Sequence, residues 1–412
     1  MALYESMQKD LETRIEKNFK RLSSSSYGIF QSAEYSWQGD YEGRELLAAL
    51  CHYAISGKKT PWLDTFMASL PQKTNEYGFF GTARIDGKIP EQYLAGHTWF
   101  LRGLCEYYRL FGGEDVLAQI KSIVEHLYLG TAEACKAYPT HARDEKGGVS
   151  GELLESTDQW ILSSDVGCAF VGLDGLTDAY ALTKDSALKT LVDIMIEKFI
   201  SIDVCALRFQ THATLTATRG ILRMYETTGD TRYLESAKKI YALYLEKGMT
   251  ANYENFNWFG REETWTEPCA IVDSFIVAIK LLKATRESKY LTLARRIWLN
   301  GLNFCFRNNG GAGTNSCVKE GQPILKILMD EAYFCCTMRY AEGLRYAKEN
   351  FELLFKDYAE DELRQDERGR YFKGDRMYCK EVKDGKVRLK PIPRAYQYPL
   401  EKAKKLQLQV LF

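Results

Sequence analysis

Apolar residues recur every three to four positions through most of this chain, in paired segments separated by short polar turns. Leu215, Ile221, Leu222 and Tyr225 share one face, and Ala237, Ile240, Leu243 and Tyr244 share the next. That spacing is the mark of helices that bury one stripe. The turn from Tyr225 to Leu234 joins them. Tyr108 to Leu117, Tyr180 to Leu188 and Leu282 to Leu291 repeat its plan: an aromatic or leucine closes one helix, a polar turn follows, and a leucine opens the next. Each predicts a helical hairpin. A looser version runs from Leu46–Tyr53 to Leu63–Leu70, and the helix after Thr337 supplies a sixth. Six hairpins predict a mainly α fold, an (α/α)6 barrel. An open helical solenoid would stack the same repeat. Against it stand two long connections, 138–167 and 248–266, rich in the glycine and tryptophan of loops that build a site on a rigid scaffold.

Near residue 356 the period changes to short alternating runs between charged turns, which predicts strands. Arg370–Lys380 is expected to pair with Lys386–Lys390 across Asp384-Gly385, a tight-turn dipeptide, and Lys405–Phe412 alternates as a third strand. The expected organisation is therefore a barrel domain, 1–355, followed by a partial β-sandwich, 356–412. Its last edge would need a partner, for example a second copy in a homodimer joined through these C-terminal strands.

Composition narrows the partners. Lysine plus arginine equal aspartate plus glutamate at 55 each, so no long-range field would gather nucleic acid or an anionic membrane. No apolar run reaches membrane-spanning length and Met1–Leu22 is a charged amphipathic stretch, which predicts a soluble, cytoplasmic protein. Eleven cysteines without the spacing of a disulfide framework fit a reducing compartment and leave thiols available as ligands or nucleophiles. The 26 tyrosines and seven tryptophans offer flat surface for sugar stacking as well as for packing between helices.

Two segments carry candidate chemistry. In Thr266-Glu267-Pro268-Cys269 a proline suited to the first helical position follows a long loop, so Glu267 and Cys269, two apart in an extended entry, project to one side. Phe334-Cys335-Cys336-Thr337 stands at the start of another helix. A helix entrance favours thiolate over thiol, and three sulfurs with one carboxylate suit a tetrahedral zinc ion. Upstream, Glu254 lies among Tyr253, Phe256 and Trp258, an apolar setting that raises a carboxyl toward the range of a general acid. Glu262 and Glu263 compete for that role. His97 and His212 are candidates to hydrogen-bond a sugar, and Trp99, Trp258 and Trp265 to stack on one.

Taken in order, Glu254-Asn-Phe-Asn-Trp258, Glu267-x-Cys269 and Cys335-Cys336 resemble the zinc-cysteine β-L-arabinofuranosidases of glycoside hydrolase family 127 and its relatives. Tyr93-Leu-Ala-Gly96-His97 and Asn309-Gly-Gly-Ala-Gly313 resemble two further segments of that family. The resemblance implies a zinc ion on Glu267, Cys269, Cys335 and Cys336, with Cys335 as nucleophile and Glu254 as acid/base. The enzyme it implies is a retaining, exo-acting hydrolase of β-L-arabinofuranosides or of a related pentose or deoxy sugar. Two other readings remain: a metal-free (α/α)6 sugar epimerase or unsaturated-uronyl hydrolase using histidines or aspartates, and a non-catalytic carbohydrate-binding protein with a structural zinc.

Overall fold

A computed structural model describes residues 2–31, 36–143, 150–317, 325–326, 331–397 and 407–408. It opens with α1, Ala2–Leu22. The chain divides into two compact units, Leu22–Lys247, and Met1–Arg21 with Gly248–Phe412.

The unit Leu22–Lys247 holds α2 (Asp40–Ser56), α3 (Leu63–Lys73), α4 (Glu91–Phe111), α5 (Glu114–Ile123), α6 (Ala132–Lys136), α7 (Gly172–Thr183), α8 (Ser186–Ile200), α9 (Thr211–Thr228) and α10 (Thr231–Lys247). Helices α2, α4, α7 and α9 pack on one another in succession. They are buried nearly all round; in α4 every residue from Glu91 to Glu106 except Tyr93 is buried. Their partners bury one stripe, as Leu188, Leu191, Val192, Met195, Ile196 and Phe199 do on α8. The predicted turns fall where expected, with left-handed Lys184 (φ 55°) and Gly229 (φ 74°) ending α7 and α9. Asp185 caps α8 by accepting the Leu188 N–H at 2.7 Å.

Glycine sets how closely the inner helices approach. A Cβ on Gly43 of α2 would stand 2.1 Å from the Phe100 nitrogen of α4, and one on Gly220 of α9 would stand 2.7 Å from the Leu173 carbonyl of α7. Charge is buried beside these contacts. Asp174 and Asp178 of α7 receive Arg102 of α4 at 3.0 and 2.7 Å, and Arg223 of α9 reaches Asp174 at 2.7 Å. The expected loop 138–167 contains structure of its own. There β3 (Trp160–Ser163) pairs antiparallel with β2 (Leu153–Ser156) and parallel with β1 (Ile89–Pro90), while residues 144–149 lie outside the described residues.

The second unit contains α11 (Pro268–Thr285), α12 (Ser288–Arg296), a π-helical turn at Ile297–Leu302, α13 (Asn303–Cys305), α14 (Cys336–Glu349) and α15 (Phe351–Phe355). Helix α11 packs on α12 and α14. Arg339 of α14 pairs with Asp273 of α11 at 2.5 Å and with Glu342 on its own helix, all three buried. One turn further along, Gly343 leaves room for Val272, to which a Cβ would come within 3.1 Å.

Its strands are β4 (Leu325–Lys326), β5 (Arg364–Gln365), β6 (Tyr371–Lys373), β7 (Arg376–Lys383), β8 (Lys386–Pro391) and β9 (Gln407–Leu408). β5 to β8 form one antiparallel sheet in chain order. Arg370–Lys380 is therefore not one strand. It folds back at Gly374, whose φ is 54° and where a Cβ would stand 2.3 Å from the Ala359 carbonyl, which excludes a side chain. The expected pairing across Asp384-Gly385 is present, both residues having positive φ as a tight hairpin requires. Asn300 of the π turn fastens the sheet: its side chain donates to the Asp375 carbonyl at 3.0 Å and accepts the Met377 N–H at 2.8 Å. Of the strand expected at Lys405–Phe412, only Gln407–Leu408 is described, and it pairs with β4. Among the described residues no helix is long and apolar enough to cross a membrane.

Asp273→Ala takes from the buried Arg339 its 2.5 Å carboxylate partner on α11, which is expected to lower stability by about 3 kcal/mol. The measurement is the urea midpoint at constant slope; an unchanged midpoint would show that the pair does not hold α11 on α14.

Candidate metal centre

Glu267 is the N-cap of α11 in extended backbone (φ −119°, ψ 111°), Pro268 takes the first helical position, and Cys269 stands in the first turn. Cys335 is the N-cap of α14 and Cys336 its first residue. The two helix entrances bring their sulfurs together. Cys336 Sγ lies 3.4 Å from Cys269 Sγ and 3.4 Å from Cys335 Sγ, and a Glu267 carboxylate oxygen is within 4.8 Å of Cys269 Sγ. These spacings are too long for a disulfide of about 2 Å. They approach the edge, about 3.8 Å, of a tetrahedron with Zn–S bonds of about 2.3 Å. Three sulfurs and one carboxylate are a donor set that zinc accepts. Cys269 and Cys336 are buried, so the half-buried Cys335 offers the accessible sulfur.

A helix entrance alone does not make these groups thiolates. Burial first, and then the two neighbouring sulfurs, push the Cys336 thiol well above its ordinary value, opposite to the expected effect of the helix dipole. A cation is what such a cluster needs in order to ionise.

The segment before Cys335 is braced by the glycine-rich stretch. Gly310 (φ 91°) lies where a Cβ would come within 2.1 Å of the Lys17 carbonyl. Ala312 accepts the Ala332 N–H at 3.0 Å, and its own N–H donates to Thr337 Oγ1 at 3.0 Å.

Glu254 is fully buried, and burial raises its carboxyl to about 7 against the opposing help of two amides and Arg307. Asn252 Nδ2 donates to Oε2 at 2.8 Å and Asn315 Nδ2 to Oε1 at 3.2 Å. A tight turn aims the pair: Thr250 accepts the Tyr253 N–H, and Tyr253 takes φ 66°, sparsely populated for an aromatic residue. Gly301 allows that turn to press in, since a Cβ there would stand 2.4 Å from the Tyr253 carbonyl. The next residue, Asn255, accepts the Glu267 N–H at 2.8 Å on Oδ1, which ties the Glu254 loop to the entrance of α11. Glu262 and Glu263, the rival acids, are exposed.

Other predicted residues are placed differently. His97 lies inside α4 rather than at its entrance; Nδ1 donates to the Tyr93 carbonyl at 2.7 Å and Nε2 accepts the Phe80 N–H at 3.1 Å. Burial lowers it to about 4, so it is a neutral ring whose two nitrogens are both spent on the fold. Trp99 is fully buried, with the Arg44 guanidinium 4.4 Å from its ring and His212 lying parallel at 5.9 Å. Trp258 is also buried, edge-on to Trp265 at 5.3 Å with Arg261 over it. Trp99 and Trp258 have no exposed ring face, whereas Trp265 is half-buried. His212 is at the entrance of α9 and buried. Sequence reasoning missed Asn252, Asn315 and Arg307. Asn315 comes from a loop 61 residues away, so no spacing in the sequence marks it as a partner of Glu254.

No protein-family profile and no curated protein matches the chain. Solved structures do. Cellobiose 2-epimerase from Bacillus thermoamylovorans B4167 aligns over 84% of this chain and 99% of its own, at 16% identity and a TM-score of 0.57. An unsaturated glucuronyl hydrolase specific for heparin aligns over 84% and 98%, at 12% identity and a TM-score of 0.55. A GH127 β-arabinofuranosidase aligns over 94% of this chain but 62% of its own, at 12% identity and a TM-score of 0.52. The fold is the (α/α)6 barrel with a small C-terminal antiparallel sheet. At these identities the likeness is one of fold.

The buried carboxyl has a measurable signature. Glu254 binds its proton more tightly folded, at about 7, than at the ordinary 4.5, so its contribution is whole below 4.5 and is lost as pH rises through 7. Glu254→Gln should therefore raise stability at pH 8 relative to pH 5 by roughly 3 kcal/mol compared with the unmodified protein. Parallel pH dependences of the two urea midpoints would contradict this.

Proposed function

We propose that this chain is a retaining glycoside hydrolase with Cys335 as nucleophile and Glu254 as acid/base. Its substrate would be a β-L-arabinofuranoside or a glycoside of a related pentose or deoxy sugar. The observation that carries the reading is the convergence of the Cys269, Cys335 and Cys336 sulfurs at two helix entrances, with a Glu267 carboxylate oxygen within 4.8 Å of Cys269 Sγ. The fold shared with a GH127 β-arabinofuranosidase supports it.

Glu267, Cys269, Cys335 and Cys336 would hold the metal. Bound there, zinc would supply the positive charge that keeps buried thiolates deprotonated at neutral pH. Cys335 is the sulfur with access, and its lone pair attacks the anomeric carbon as the C–O bond to the leaving group breaks. Glu254, protonated up to about pH 7, gives its proton to the departing oxygen. Now a carboxylate, it takes a proton from water, whose oxygen displaces the sulfur from the sugar. Two inversions at one carbon give net retention, the double-displacement scheme with a thiolate in place of the second carboxylate. Asn252 and Asn315 help the anion form between the two steps.

Metal analysis of the purified protein should find about one zinc per chain, reduced in Cys269→Ser. Cys335→Ser should lose turnover by about a thousandfold or more. An unmodified protein without zinc would sink the proposal and favour the metal-free epimerase or uronyl-hydrolase reading. Glu254→Gln should slow glycosides with poor leaving groups by roughly 10²–10⁴-fold and activated aryl glycosides far less. Equal loss on both would move the acid role to another residue, Glu263 first.

A further inference from the structure

The glycine-rich stretch after α13 ends in Ala312-Gly313-Thr314-Asn315, and Asn315 occupies a crossing point between three parts of this unit. Its backbone is paired on both sides with Thr266, the residue before Glu267: the Asn315 carbonyl accepts the Thr266 N–H at 2.7 Å, and the Asn315 N–H donates to Thr266 Oγ1 at 3.2 Å. Its side chain is fully buried. Oδ1 accepts from Arg307 Nη2 at 2.9 Å, which fixes the amide so that Nδ2 must face outward from Arg307, and there it donates to Glu254 Oε1 at 3.2 Å. An amide that could flip would present its oxygen to the carboxylate. The guanidinium, a donor with no acceptor, forbids this.

The other carboxylate oxygen is served by the same device. Asn252 Oδ1 accepts the Thr250 hydroxyl at 2.8 Å, leaving Asn252 Nδ2 to donate to Glu254 Oε2. Arg307 is itself anchored, since Nη1 donates to the carbonyls of Phe304 and Cys305 at 3.0 and 2.8 Å. We infer that Asn315 is a positioning residue for the reaction: it orients the Glu254 carboxyl and links it to the entrance of the metal-binding helix α11. The inference rests on the proposed acid/base role of Glu254. It assigns to Asn315 a part that no motif marks.

The ionisable groups acting on Glu254 are Arg307, which favours its charged form, and Cys305, a buried thiol held neutral. A donor removed from a carboxylate makes the charged form harder to reach. In Asn315→Ala the ionisation of Glu254 should therefore move up by roughly one pH unit. In Asn315→Asp, which keeps the shape and the Thr266 pairing while setting a second carboxylate against the first, the move should be larger. The direct readout is pH-titrated infrared difference spectroscopy, with the protonated-carboxyl band assigned by its loss in Glu254→Gln. The zinc content should stay that of the unmodified protein, and the alkaline limb of kcat/KM should follow the infrared midpoint. A midpoint that stays in place in both variants overturns the inference and leaves Asn315 a purely structural residue. A midpoint that moves while the alkaline limb does not follow upholds the orienting role and refutes Glu254 as the acid.

Discussion

The meeting of the Cys269 and Cys336 thiols depends on the ion pair between Arg339 and Asp273. Asp273 is one helical turn beyond Cys269 on α11, and Arg339 is three residues beyond Cys336 on α14, so the pair fixes the two helices one turn behind their thiols. Two helix ends held only by apolar contacts could slide by part of a turn. A buried, hydrogen-bonded charge pair tolerates no such slip, because any shift leaves a charge without its partner in a setting of low dielectric. The Gly343 contact with Val272 limits the separation of the same helices. Together they account for a 3.4 Å contact between sulfurs 67 residues apart.

The same unit keeps a carboxyl in a place that works against stability. Glu254 has no exposure, a strained turn at Tyr253 beside it, and two amides each oriented by a further partner. Burial raises its proton affinity while the amides and Arg307 oppose that rise, so the group rests near neutrality instead of at either extreme. A carboxyl that served only the fold would be better replaced by an uncharged side chain. Perturbation of this kind is common at working sites, where a proton must be both held and released.

Burial also reordered the aromatic and histidine candidates. Trp99 and His97 lie on α4, a helix packed on both sides, where side chains meet other helices whichever way they point. His97 stands out in sequence because it follows a glycine in Tyr93-Leu-Ala-Gly96-His97. That glycine serves close packing: a Cβ on Gly96 would stand 2.2 Å from the Gln38 carbonyl. Trp258, a stacking candidate on a long loop, is buried because the loop folds over itself, with a bridge between Trp258 and Arg261.

What the amino-acid sequence determined by itself was everything that depends on near neighbours. The hairpin turns at Tyr108–Leu117, Tyr180–Leu188, Tyr225–Leu234 and Leu282–Leu291, the proline entry to α11, and the Asp384-Gly385 hairpin all follow from local periodicity, capping and turn chemistry. The candidate ligands could be named because each pair lies within three residues. Only the tertiary structure decided that Cys269 meets Cys336, that Asn315 reaches Glu254 from 61 residues away, and that the Cys336 thiol is raised instead of lowered. Those outcomes turn on which distant side chains exclude water from one another, and desolvation is a property of the packed interior that no local spacing encodes.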